Sequence, residues 1–181
     1  MPADTRLTYD DFCLLPEDGK RREIIAGDLF VTPSPQTPHQ RAATRLIIRL
    51  GEFVETHKLG EVFMGPFDVV FSEFDVVEPD LLYISKARAE ILTGKNVQGA
   101  PDLVVEVLSE TTARVDRSIK LKLYGKFGVQ EYWIIDPTGP SAEIYRRGGE
   151  GLDLVAKLSP ADALNSPLLP GFTLPLRKLT D

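Results

Sequence analysis

The sequence contains a single cysteine, Cys13, so no disulfide can form within the chain and the fold must be held by burial and hydrogen bonding. An unpaired thiol reads as a reducing compartment. No apolar run approaches membrane-spanning length. The first ten residues, Met1 to Asp10, are polar and lack the apolar stretch of a secretory leader, so the expected location is the cytoplasm, with no membrane partner. Repeats, low-complexity tracts and long linkers are missing. So is a Gly-rich phosphate loop: Gly148-Gly149-Glu150-Gly151 falls in a hairpin turn, not between a strand and a helix, which leaves a sugar- or nucleotide-processing α/β enzyme unsupported. Positive charge is also in deficit. With 21 Lys and Arg against 27 Asp and Glu, the net charge is −6, which argues against broad, non-specific wrapping of nucleic acid. A local basic patch beside an acidic metal site remains compatible with it, because carboxylates that hold a metal lower the net charge themselves.

What is present suits one domain, 1–181, large enough to bury a full core. Fourteen Gly and fourteen Pro point to many turns and a strand-rich fold. Thr8 caps a short helix carrying Tyr9, Phe12 and Cys13. A hairpin follows, Arg22 to Ile25 and Leu29 to Thr32, with Gly27-Asp28 in its turn. Pro33, Pro35 and Pro38 make a rigid loop before an amphipathic helix over 39–58, whose apolar face is Ala42, Ala43, Leu46, Ile47, Leu50, Phe53 and Val54. Strands are expected at 61–64, 67–71 and 80–84, then a polar, partly helical connection over 86–99. The run Leu103 to Leu108 reads as a buried strand, 111–126 as a helix with Val115, Ile119, Leu123 and Phe127 on one face, and Glu131 to Asp136 as a second buried strand. A hairpin over 142–157 and a loop-rich tail from Ser159 complete the chain. This order implies an α/β (α+β) layered domain with a mixed sheet.

One residue stands out on physical grounds. Glu106 interrupts the apolar run Leu103 to Leu108, and a carboxylate there is costly unless paired, hydrogen-bonded or bound to a metal. A second acid, Asp80, opens another apolar strand. Two carboxylates at neighbouring strand ends suit Mg²⁺, which takes oxygen ligands and leaves room for water and phosphate. Directly after Glu106, the segment 111–126 holds Arg114, Arg117, Lys120, Lys122 and Lys126 against Asp116 alone. An acid pair beside cations is what phosphoryl chemistry requires. Each part has a plainer reading. Asp80 after Pro79 could end a turn, Glu106 could pair with a core Arg or Lys, and Lys120 could pair with Asp116 across one helical turn for about 0.2–0.5 kcal/mol. Glu23 could be a further metal ligand or a partner of Arg21 or Arg22. His39 could meet a phosphate at a helix start or cap the helix. Tyr124 and Trp133 read as packing residues. It is the joint pattern that favours chemistry.

Four strings in this order carry a resemblance: Pro79-Asp80; Ala100-Pro101-Asp102-Leu103-Val104-Val105-Glu106-Val107-Leu108-Ser109; Asp116 to Tyr124; and Gly128 to Pro137. Together with Arg22 to Asp28 and Pro38-His39, they resemble the Uma family of bacterial restriction-endonuclease-like proteins, in the PD-(D/E)xK nuclease superfamily, from Leu7 to about Leu176. The resemblance implies a restriction-endonuclease-like core, a mixed central β-sheet flanked by helices. It implies an Mg²⁺- or Mn²⁺-dependent endonuclease acting on nucleic acid, DNA in the first instance, with a homodimer by analogy. Asp80 and Glu106 match the two acids, the carbonyl of Val107 would also bind the metal, and Lys120 matches a catalytic lysine moved onto the following helix. Leu108 stands where the general pattern has that lysine. Ala26 stands where the family usually has Asp, a matter of turn chemistry. In this frame Asp80, Glu106 and Lys120 are catalytic and Asp80, Glu106, Val107 and Glu23 hold metal. His39, Arg114, Arg117 and Lys122 bind substrate. The rival expectation is a dormant nuclease fold that binds nucleic acid or a protein without cutting.

Overall fold

The two most apolar segments of the chain lie side by side. In the computed structural model, which describes residues 6–16 and 18–180, β8 (Leu103–Val107) and β9 (Glu131–Asp136) run parallel, in register Leu103↔Glu131 to Val107↔Ile135. Parallel strands need a crossover, and 108–130 supplies it. Antiparallel neighbours extend the sheet on both sides: β10 (Ser141–Arg147) and β11 (Leu152–Leu158) beyond β9, and β6 (Leu81–Ser85) and β3 (Gly60–Met64) beyond β8. The expected mixed central sheet is therefore present, six strands wide. A second sheet has the order β2 (Asp28–Thr32), β1 (Arg21–Ile25), β5 (Asp75–Val77), β4 (Val69–Ser72) and β7 (Val97–Gln98).

Side chains alternate across β8, so the sheet builds a core on each face. Leu103, Val105 and Val107 pack with Ala42, Ala43, Leu46, Leu50 and Val54 of helix α2 (Thr37–Thr56), while α1 is the short capped turn Tyr9–Cys13. Val104 and Leu108 pack on the opposite side with Val69 and Val77 of the second sheet and with Leu123 and Tyr124. Those last two belong to a composite helix: α3 (Ala113–Val115), a π-helical turn Asp116–Lys120, and α4 (Leu121–Phe127), ended by Gly128 at φ 96°.

Four expectations need correction. The helix expected over 111–126 does not turn Val115 and Ile119 inward. Ile119 is 38% exposed, whereas Asp116, Lys120 and Tyr124 are buried, because the acids on the sheet behind require partners. The tail from Ser159 is no loop: β12 (Ala163–Ser166) and β13 (Leu169–Pro175) form a hairpin whose Leu164, Leu169, Phe172 and Leu174 close the core beside α2. Pro38 lies in the first turn of α2, where a missing N–H costs nothing. Finally, the β1–β2 turn is Ala26-Gly27, not Gly27-Asp28, since Ile25 pairs with Asp28.

Both turn residues have positive φ, 55° at Ala26 and 85° at Gly27. That conformation suits the two-residue turn of a twisted hairpin, but it burdens alanine and favours asparagine. Ala26 is exposed, and its N–H donates to Asp75 Oδ1 at 2.8 Å, a bond any residue keeps. Ala26→Asn is expected to stabilise the protein by about 0.5–1 kcal/mol. In urea unfolding the midpoint should rise with an unchanged slope; a lower midpoint would contradict the assignment.

Candidate active site

Glu106 is the fourth residue of β8, only 3% exposed, on the face shared with Val104. Two groups from the composite helix meet it. Lys120 Nζ donates to Oε1 at 2.9 Å, and the Tyr124 hydroxyl donates to the same oxygen at 2.7 Å. They stand four residues apart, so one helix face presents both. The π-helical turn that carries Lys120 is a feature often found at functional positions. Lys120 also lies 2.9 Å from Glu23 Oε1 and 3.8 Å from Asp116 Oδ1. Glu23, on β1, accepts the Glu78 N–H at 2.9 Å. One buried ammonium therefore serves three carboxylates drawn from two sheets and a helix.

Asp80 stands immediately before β6. The register Leu82↔Val104 and Leu81↔Val105 continues to a position across from Glu106. Asp80 Oδ1 accepts from Arg21 Nη1 at 2.7 Å, and Oδ2 accepts the Val107 N–H at 2.8 Å. His39 Nε2 lies 3.0 Å from Oδ2; an ionised carboxylate can only accept, so Nε2 carries the proton. Arg21 Nη2 also donates to the Glu78 carbonyl.

These surroundings drive the two acids apart. Burial works to raise the Asp80 carboxyl, but the His39 hydrogen bond, the Arg21 charge and the Val107 amide outweigh it and hold it at about 2. Burial also raises Glu106. There Lys120 cannot compensate, since its charge is shared and Asp116, Asp80 and Glu23 add repulsion, so the carboxyl rises to about 8. Glu78 is pushed up to about 7 by burial, against the pull of Arg21, and burial raises Asp116 as well.

A pocket of about 140 Å³ opens onto this cluster. Arg21, His39, Asp80, Glu106, Val107, Asp116 and Lys120 line it, between walls formed by 32–36 and 109–112. Asp80, Glu106, Lys120, Glu23, Val107 and His39, expected from sequence, thus come together; Glu23 reaches the cluster through Lys120 and lines the adjoining hollow behind it. Arg117 binds Glu143 at 2.8 Å and lines a neighbouring pocket of about 210 Å³ shared with His39. Arg114 and Lys122 are exposed on the helix and line neither pocket.

Sequence reasoning passed over Arg21, Glu78 and Asp116 as parts of the cluster, and took Tyr124 for packing. Spacing held the signal. Arg21 precedes Glu23 by two residues on the same face of a strand, and Glu78 precedes Asp80 by two. Asp116, Lys120 and Tyr124 recur every four residues on a helix.

Among the described residues no three His, Cys, Asp or Glu side chains are already grouped around a metal position. The donor set nevertheless fits a hard divalent cation. Glu23, Glu78, Asp80, Glu106 and Asp116 face two permanent cations, Arg21 and Lys120, and Asp116 Oδ1 and Glu78 Oε2 are buried with no hydrogen-bond partner. Five carboxyl groups around two cations, three of them raised by burial, are a set of oxygen donors that Mg²⁺ or Mn²⁺ would draw into the ionised form.

The fold matches that of a crystal structure described as a putative nuclease belonging to DUF820 from Anabaena variabilis ATCC 29413. The TM-score is 0.79 over 96% of this chain and 97% of that one, at 22% identity. No curated protein matches the chain. A family model described as Uma2, putative restriction endonuclease, matches residues 9–177, which take in every residue of the cluster. On that match, and with the fold in agreement, this chain belongs to the Uma2 family of putative restriction endonucleases.

Proposed function

We propose that this protein is a divalent-metal-dependent endonuclease that hydrolyses phosphodiester bonds in DNA. The observation that carries the reading is the convergence of Asp80, Glu106 and Lys120 on one pocket, with a surplus of carboxylate around a single buried ammonium. Asp80 and Glu106 would hold Mg²⁺ or Mn²⁺, with the Val107 carbonyl and Glu23 as further ligands. When bound, such an ion lowers the pKa of a coordinated water and polarises the scissile phosphate.

The remaining steps belong to the chain. Lys120 lies between Glu106 and Glu23, where its ammonium can orient the attacking water or stabilise charge on the five-coordinate phosphorus. Tyr124 fixes Glu106 by donating to Oε1. His39, at the start of α2, and Arg117, in the neighbouring pocket, would contact the strand that enters. Arg114 and Lys122, on the outer side of the helix, would meet phosphates farther along it. Pairing of two copies would let both strands be cut.

A second reading has its own observation. Both oxygens of Asp80 are already met by Arg21, His39 and the Val107 amide, as in a dormant nuclease fold that binds without cutting. Cleavage of supercoiled DNA in Mg²⁺ or Mn²⁺ separates the two. Wild type is expected to cut, and Glu106→Ala and Lys120→Met each to lose more than about 10²-fold in rate. Wild-type activity surviving in Glu106→Ala would remove this site from the reaction, and metal uptake undetectable by calorimetry would favour the dormant reading.

The acids also set a pH dependence in the metal-free protein. Glu106 titrates near 8 when folded, against 4.5 as an ordinary glutamate, so its contribution is complete below about 4.5 and fades as pH rises to about 8. Asp80 has the opposite sign: its contribution is complete above 3.8 and fades as pH falls towards about 2. Melting temperature measured in EDTA should therefore decline from about pH 5 to pH 8. Glu106→Gln should flatten that decline; an unchanged slope in the variant would mean that Glu106 is ionised throughout.

A further inference from the structure

As it stands, Asp80 meets three donors, and a divalent cation arriving there would face a guanidinium already in place. Its Oδ2 is held by the Val107 amide and by His39, groups fixed to a central strand and a long helix, while Oδ1 is held by the Arg21 guanidinium at 2.7 Å. Oδ1 is thus the oxygen whose partner can leave. Of the pocket-lining side chains only Arg21 and Lys120 carry a permanent positive charge, and Lys120 is locked among Glu23, Glu106 and Asp116.

The grip of Arg21 is incomplete. Its Nε is buried without a hydrogen-bond partner, and the Glu78 Oε2 that faces it at 3.8 Å has none either. Its side chain is 20% exposed, against 5% for Asp80, so it lies on the open side of the pair. A guanidinium does not lose its proton at any relevant pH. An incoming cation must therefore move it, because Arg21 cannot become neutral in place.

We propose that Arg21 stands in for the metal: it neutralises Asp80 while no divalent cation is bound, yields Oδ1 to the cation, and then turns into the pocket to grip the substrate phosphate. The inference rests on the metal-dependent reading above. The fork of N–H donors that now spans Asp80 and the Glu78 carbonyl is the geometry that suits two phosphate oxygens. Exchange of a monovalent for a divalent cation also reduces the carboxylate surplus, and the released charge becomes available where an anionic substrate enters. Arg21 would thereby couple metal loading to substrate binding.

Calorimetry with Mn²⁺ tests the exchange. Arg21→Met, checked for folding by circular dichroism, should bind Mn²⁺ about ten-fold tighter than wild type because no internal cation competes, yet cut DNA more slowly at saturating metal. Arg21→Lys, which keeps the charge but cannot span both acceptors, should fall between them. In wild type labelled at arginine Nε, the Arg21 side-chain signal, assigned by its loss in Arg21→Lys, should shift on titration with Mg²⁺. If wild type binds metal but the folded variants bind no tighter, or the Arg21 signal stays in place at saturation, the exchange is wrong and the nuclease reading stands. If neither wild type nor the variants take up metal, both fall together.

Discussion

The ammonium of Lys120, buried between Glu106 and Glu23 with Asp116 at its side, is the contact on which the rest of the structure depends. It joins the central sheet, the second sheet and the composite helix at a point to which each sheet brings a carboxylate. Removing one member of such a group leaves the others charged and unsolvated, a loss of about 3–5 kcal/mol. Hydrophobic side chains of similar size would hold the layers together as well or better. A buried, imperfectly balanced cluster of charge is therefore poorly explained as a device for stability, which accords with the proposed function.

The cluster is also asymmetric in a useful way. Asp80 and Glu106 occupy facing positions of adjacent strands, yet their surroundings push them in opposite directions. Asp80 sits among a guanidinium, an imidazole and a backbone amide and stays ionised. Glu106 shares a single cation with two other acids and lies among apolar residues. Two carboxyls held in different protonation states are the arrangement by which one fold can position charge and proton separately. The pocket over them is walled by residues 32–36 and 109–112.

Much of this was legible along the chain because periodicity reports burial. The run around Glu106 read as a buried strand and Glu131 to Asp136 as another, since apolar, β-branched and aromatic stretches of this kind need cover on both faces. The face of α2 followed from its heptad-like spacing, and one acid in such a run, taken with Asp80 and the cations of 111–126, pointed to the candidate site. The second sheet was less legible. Its strand β5 spans three residues, too few for a pattern, and it was passed over. The C-terminal hairpin was hidden by its prolines, which read as loop although Pro175 sits at a strand end. In the composite helix an apolar stripe and a polar stripe were both available. Sequence favours the apolar one as the buried face, and only the presence of Glu106 and Glu23 behind the helix reverses that choice.

By itself the sequence determined which residues are too costly to bury without a reason, the order of the strands and helices that carry the cluster, and the ordered motifs that mark the family, because these are properties of local pattern. Tertiary structure decided the partners. That Arg21 faces Asp80, that Tyr124 reaches Glu106 and that Lys120 divides its charge among three acids depends on strand register and on the twist of one helix against two sheets. Electrostatic energy varies with ångström distances between groups up to 97 residues apart, as Glu23 and Lys120 are, and no spacing along a chain encodes those distances.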